Sequence, residues 1–102
     1  MKYALHFGPD AIHVDMEGTL TYQDSHNVHR LMKVINSNDS RTHVLLNIKK
    51  LKSMDSTGLY LFMLIHDLAK KSHCSLIFIE PQGQVLSRLT EAARYNSLHI
   101  AA

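Results

Sequence analysis

The sequence predicts an α/β domain: a mixed sheet of four to five strands with three, at most four, helices packed on it. Three observations carry this. Apolar residues alternate near the N-terminus. Two short runs with continuous apolar centres, Thr42–Ile48 (THVLLNI) and Ser75–Ile79 (SLIFI), read as buried strands. Segments with helical apolar spacing separate these strands, and strands divided by helices need crossovers, which favour parallel pairing at the centre of a sheet.

Tyr3 to Phe7 alternates and ends at Gly8-Pro9-Asp10, a strong turn signal. Ala11 to Met16 alternates again, with Ile12, Val14 and Met16 on one face and His13, Asp15 and Glu17 on the other. The pair reads as a hairpin with one wet face, after which Gly18-Thr19-Leu20-Thr21 is expected to leave the sheet. Asp24 or Ser25 can N-cap a first helix, because each offers an oxygen to unpaired backbone N–H groups. Its apolar stripe is Val28, Leu31, Met32 and Ile35, and Asn36-Ser37-Asn38-Asp39-Ser40 stops it. In Thr42–Ile48 the centre Val44-Leu45-Leu46 suggests cover on both faces. Lys49 to Ser53 reads as a polar loop. A second helix runs from about Ser56 to about Lys71; Leu59, Phe62, Met63, Ile65, Leu68 and Ala69 make it the most buried of the three. After Ser75–Ile79, Glu80-Pro81-Gln82-Gly83 turns. Val85, Leu86, Leu89, Ala92 and Ala93 mark a shorter third helix, and Ser97–Ile100 a last strand.

Composition narrows the function. The 102 residues suit a single domain spanning 1–102, too small for a core plus a lidded catalytic cleft. The formal charge of +2 is too weak for an electrostatic nucleic-acid binder. The single cysteine, Cys74, excludes a disulfide framework and a cysteine-based zinc site. No apolar run approaches the roughly 18 residues of a membrane span, and the N-terminus lacks a signal-peptide pattern. The expectation is a cytoplasmic, soluble, monomeric binding or switching module without a cofactor.

Met54-Asp55-Ser56-Thr57-Gly58-Leu59 is the informative segment. Asp55 is placed as the N-cap of the second helix, with Ser56, Thr57 and Gly58 in its first turn. Free N–H groups and the partial positive charge of the helix end favour an anion there. Gly58 costs helix propensity and removes a side chain, so another molecule can approach closely. A hydroxyl at Ser56 is exposed and open to phosphorylation. The plainer alternative is a capped helix start and no more.

Val44-Leu45-Leu46-Asn47-Ile48, a short gap, then Met54-Asp55-Ser56-Thr57-Gly58-Leu59 resembles the signature of STAS domains, the family of the anti-sigma factor antagonists of bacterial partner switching. The resemblance covers nearly the whole chain. It implies that Ser56 is phosphorylated by a partner serine kinase, and that Asp55 is needed for phosphorylation and partner contact. Thr57 and Gly58 complete the exposed turn. It further implies that the unphosphorylated protein binds an ATP-binding serine kinase that doubles as an anti-sigma factor. Phosphorylation would release it, and a metal-dependent serine phosphatase would restore binding. The sequence departs from the family pattern in Gly18-Thr19-Leu20-Thr21, where an acidic Gly-Glu-Leu-Asp is typical, and in Tyr60, where a small residue is common. The family's further C-terminal helix is expected to be short or missing after Ile100-Ala101-Ala102. The alternatives are a STAS regulator of a non-transcriptional output, such as biofilm or polysaccharide production governed by a kinase/phosphatase response regulator, and a scaffold or ligand-binding module that uses no phosphorylation.

Other residues carry less. Eight histidines is a high count, and His26 and His29 stand one helical turn apart, yet no further ligand is spaced to complete a metal site. Cys74, ahead of a strand, reads as a small apolar residue. Lys49, Lys50 and Lys52 flank the motif, either as a solvated face or as steering for an acidic partner or for the phosphates of a kinase-bound nucleotide towards Ser56, with Lys52 nearest. Met54, Leu59, Tyr60 and Met63 stand where an interface favours Met and Tyr; Leu59 and Met63 fit a core equally, and Tyr60 is the expected partner contact. Ser56 lies outside a Gly-x-Ser-x-Gly elbow and no histidine is tied to it, so a non-enzyme is expected.

Overall fold

The computed structural model describes residues 1–37 and 43–101. In chain order the elements are β1 (Lys2–Phe7), β2 (Ala11–Leu20), a 3-10 turn (Tyr22–Asp24), α1 (Ser25–Asn36), β3 (His43–Met54), α2 (Ser56–Lys71), β4 (Ser75–Ile79), α3 (Gly83–Ala92) and β5 (His99–Ala101). They form a five-stranded sheet in the order β1-β2-β3-β4-β5. The β1–β2 hairpin is antiparallel and every later pair is parallel. Thr42 of the third strand and Asn38, Asp39 and Ser40 of the helix stop lie outside the described residues.

This order decides where the helices lie. Each parallel step moves one strand in the same direction, and right-handed crossovers then place every connecting helix on the same face. The burial agrees: Ile12, Val14, Met16, Val44, Leu46, Ile48 and Phe78 form one buried cluster with Val28, Leu31 and Ile35 of α1, Phe62 and Ile65 of α2, and Val85 and Leu89 of α3. The Phe62 and Phe78 rings meet at 5.2 Å between centroids, tilted by 52°, an arrangement aromatic pairs favour. The expected cover on both faces of β3 is therefore corrected. Leu45, Ile77 and Ile79 point to the helix-free face and are only half-buried.

Two segments read as leaving the sheet instead continue it. Glycine 18 takes φ +96°, a conformation open to glycine at little cost, and pairing persists through Gly18–Leu51, Thr19–Ser53 and Leu20–Met54. The segment Lys49–Ser53 is strand, interrupted by two register shifts. Strict alternation from Val44, Leu46 and Ile48 would bury Lys50 and Lys52 and expose Leu51. Each bulge adds one residue to β3, so the buried positions become Ile48, Leu51 and Met54, and Lys49, Lys50 and Lys52 all reach solvent.

The α1 cap also differs from expectation. Asp24 holds the N-cap position, but its carboxylate turns back to accept from the Thr21 N–H (2.9 Å) and from the Met1 amino group (3.1 Å), while the Ser25 hydroxyl donates to the Tyr22 carbonyl (2.8 Å). Helix α2 has five buried residues, the most of the three helices. Leu86, assigned to the apolar stripe of α3, is 41% exposed. Leu46→Ala is expected to lower stability by about 2–5 kcal/mol, as a cavity in a packed core does. Leu45→Ala, one residue away on the open face, should cost about 1 kcal/mol or less. Urea unfolding of the two variants checks this, and equal losses would contradict one-sided packing.

Candidate functional site

The parallel strands β2 and β3 end together, Leu20 opposite Met54, and the chain turns from there into α2. The turn is held by backbone first: the Asp55 N–H donates to the Leu20 carbonyl at 3.2 Å. Asp55 has the extended backbone of an N-cap, and its carboxylate accepts from the Gly58 N–H at 2.7 Å. That bond satisfies one of the unpaired donors of the first helical turn.

Gly58 is where two elements touch. A β-carbon on it would stand 2.5 Å from the Leu20 carbonyl oxygen and 3.0 Å from Met54 Cβ. The missing side chain thus admits the chain's own β2, and not, as expected, another molecule. Gly58 is buried and is no part of the exposed surface. Met54 is also buried, at 2% exposure, where partial exposure was expected.

A second clamp comes from α3. The Gln84 side chain accepts from the Met54 N–H (2.9 Å) and donates to the Met54 carbonyl (3.1 Å). This amide imitates a neighbouring strand and fixes the residue just before Asp55. It was not legible in sequence, because it joins positions 30 apart with no local pattern. On the other side, the Ser53 hydroxyl donates to the Thr19 hydroxyl at 3.3 Å.

What this frame exposes is small. Ser56, the first residue of α2, is exposed, and among the described residues its hydroxyl makes no hydrogen bond. Asp55 and Thr57 are half-buried, Lys52 is exposed, and Tyr60, one turn after Ser56, is 61% exposed. The 3-10 turn lies against α2 and adds Tyr22, 65% exposed, an aromatic the sequence reading passed over. Leu59 and Met63 are half-buried and pack on the core. The candidate residues Lys52, Asp55, Ser56, Thr57 and Tyr60 thus all reach solvent between the end of β3 and the second turn of α2, and Gly58 is buried among them.

The remaining candidates stay apart from it. His26 and His29 are exposed on α1. Among the described residues no group of three or more His, Cys, Asp or Glu side chains is placed to hold a metal ion, and no helix is long and apolar enough to cross a membrane. Cys74 is buried ahead of β4.

Replacing Gly58 with alanine tests the close approach. In an open helix the change would gain about 1 kcal/mol; here overpacking against the Leu20 carbonyl should reverse the sign and cost about 1–3 kcal/mol. Asp55→Asn, which keeps the acceptor, should stay within about 0.5 kcal/mol of wild type, and Asp55→Ala should lose about 1 kcal/mol. Thermal or urea unfolding reads all three, and a Gly58→Ala protein as stable as wild type would contradict the geometry.

Comparison with known proteins fits this arrangement. A search of curated proteins finds no match by sequence. Among solved structures, the unphosphorylated anti-sigma factor antagonist SpoIIAA superposes with a TM-score of 0.75 at 13% identity, covering 97% of this chain and 86% of its own. SpoIIAA of Bacillus in its phosphorylated form gives 0.76 at 14% identity, covering 99% and 92%. A candidate anti-sigma factor antagonist of Thermotoga maritima gives 0.76 at 16% identity, covering 98% and 86%. At such identities these likenesses speak for the fold. The sequence itself matches the STAS domain over residues 3–101, and the chain belongs to that family.

Proposed function

We propose that this protein is a phosphorylation-controlled protein-binding switch in which Ser56 accepts the phosphate. The observation that carries the reading is the placement of one exposed hydroxyl at the first residue of α2, beside a carboxylate already engaged as the helix cap. In the unphosphorylated state the surface around Asp55, Ser56, Thr57, Lys52 and Tyr60 binds a serine kinase of the anti-sigma or response-regulator type. Phosphorylation releases it, and a serine phosphatase resets it. The protein acts as the substrate of both enzymes and not as an enzyme itself.

The physics supports a switch of surface and not of fold. A phosphate adds about −1.5 to −2 charge at pH 7. At the N-terminus of α2 it meets the positive end of the helix dipole, which favours an anion. It therefore leaves the helix intact and acts on the partner, through repulsion and the cost of desolvating a dianion beside Asp55. SpoIIAA supports this reading, since its phosphorylated and unphosphorylated forms match the present fold equally well. The end of β2 favours a partner other than a standard anti-sigma kinase. Exposed Thr19 and half-buried Thr21 stand at the end of β2, where the acidic pattern of the antagonists would place carboxylates. This supports a regulator of a non-transcriptional output, such as polysaccharide or biofilm production.

Phosphate-affinity electrophoresis of wild type and Ser56→Ala from the native cell tests the proposal. The expected result is a shifted band in wild type that Ser56→Ala lacks, with Ser56→Ala retaining the partner in pull-downs and Ser56→Asp losing it. The absence of any Ser56-dependent band under every growth condition would favour a phosphorylation-independent scaffold.

A further inference from the structure

The two bulges of β3 do more than keep lysines out of the core. On the helix-free face the register aligns Lys2 of β1, Glu17 of β2 and Lys50 of β3 across three strands, and the second bulge turns Lys52 outward beyond them. A groove of about 470 Å³ opens on this face between Lys2, Asn47, Lys49 and Lys50, and an adjoining hollow continues it to Lys52. Four lysines line it against two carboxylates, Asp15 and Glu17. Lys49 lies 3.7 Å from Glu80, and Asp15 lies 3.5 Å from His6. Among the described residues Lys2, Lys50 and Lys52 form no ion pair; Glu17 between Lys2 and Lys50 offsets part of their charge, and the excess of lysines leaves this end of the sheet net positive in a protein whose net charge is only +2.

We propose that this groove docks an acidic peptide segment of the regulator that acts on Ser56. The proposal rests on the switch reading above and names the chemistry of its partner. Charge complementarity points to the occupant, and continuity points to its role. Lys52 lies four residues before Ser56 on the strand that delivers it, within about 13 Å along the chain. A partner seated on Ser56 therefore passes Lys52, and an acidic tail from it can run along β3 into the groove. The two carboxylates argue for a peptide over an anionic membrane, because a flat negative surface meets Glu17 and the lysines together, whereas a peptide can place its charges on the lysines alone. Such contacts speed encounter and fix register, and they weaken as salt shortens the reach of the charges.

The test is fluorescence anisotropy with a labelled octaglutamate peptide at low ionic strength. Wild type is compared with Lys2→Gln/Lys50→Gln/Lys52→Gln and with a control, Lys33→Gln/Lys70→Gln/Lys71→Gln, that removes as many exposed lysines elsewhere. The groove variant should lose about tenfold in affinity, the control less than about twofold, and wild-type binding should fall with added salt. No binding, or equal losses in both triple variants, would overturn the proposal. So would groove-dependent capture by phosphatidylserine vesicles with no groove-dependent capture of the peptide. The assay needs no phosphorylation, so it is read apart from the Ser56 band. A Ser56 band without lysine-dependent binding sinks the groove alone, and lysine-dependent binding without a Ser56 band keeps the acidic-peptide site and sinks the switch.

Discussion

The contact between Gly58 and the Leu20 carbonyl is the constraint on which the site depends. A β-carbon would meet that oxygen at 2.5 Å, so the first turn of α2 can lie against the end of β2 only with glycine there. Around it the Asp55 N–H is bound to the same carbonyl, the Asp55 carboxylate to the Gly58 N–H, and the Gln84 amide to both polar groups of Met54. Each bond is worth only about 1 kcal/mol in isolation. Together they leave the turn few alternative conformations, because β2, β3, α2 and α3 each hold one side of it.

This rigidity means that charge added at the exposed Ser56, as the proposed switch requires, need not disturb the fold. Ser56 is the residue of the turn whose side chain is left over, exposed and without a hydrogen bond among the described residues. A phosphate placed there adds charge where the helix dipole tolerates it, on a side chain that faces solvent. The one-sided sheet adds to this. With every helix on one face, the other is free for a partner, and the bulged end of β3 brings lysines to that face close to Ser56.

Much of this was legible in the chain and part of it was not. Local signals placed the helices well: Asp55 before Ser56 marks the N-cap of α2, and its apolar spacing carries it to about Lys71. The motif itself fell where expected. The errors came from non-local geometry. Ile48, Leu51 and Met54 recur every third residue, which breaks the alternation of a strand and imitates a loop; only the pairing with β2 turns that spacing into two bulges. Continuous apolar residues at Val44-Leu45-Leu46 imitate two-sided burial, and strand order alone shows that one face is open. Gly58 was noticed for the right property, its missing side chain, but the neighbour it admits lies 38 residues earlier in the chain. The Gln84 clamp had no local signature at all.

The central claim is that phosphorylation changes the surface of this protein while leaving its fold unchanged. Backbone amide hydrogen exchange, measured by NMR on the protein and on a version carrying phosphoserine at position 56, tests it most directly. Chemical-shift changes confined to the turn around Asp55 to Tyr60 and the adjacent 3-10 turn are predicted, with protection in β2, β3 and α2 the same in both forms. Loss of protection along β3 or through α2 in the phosphorylated form would contradict the account.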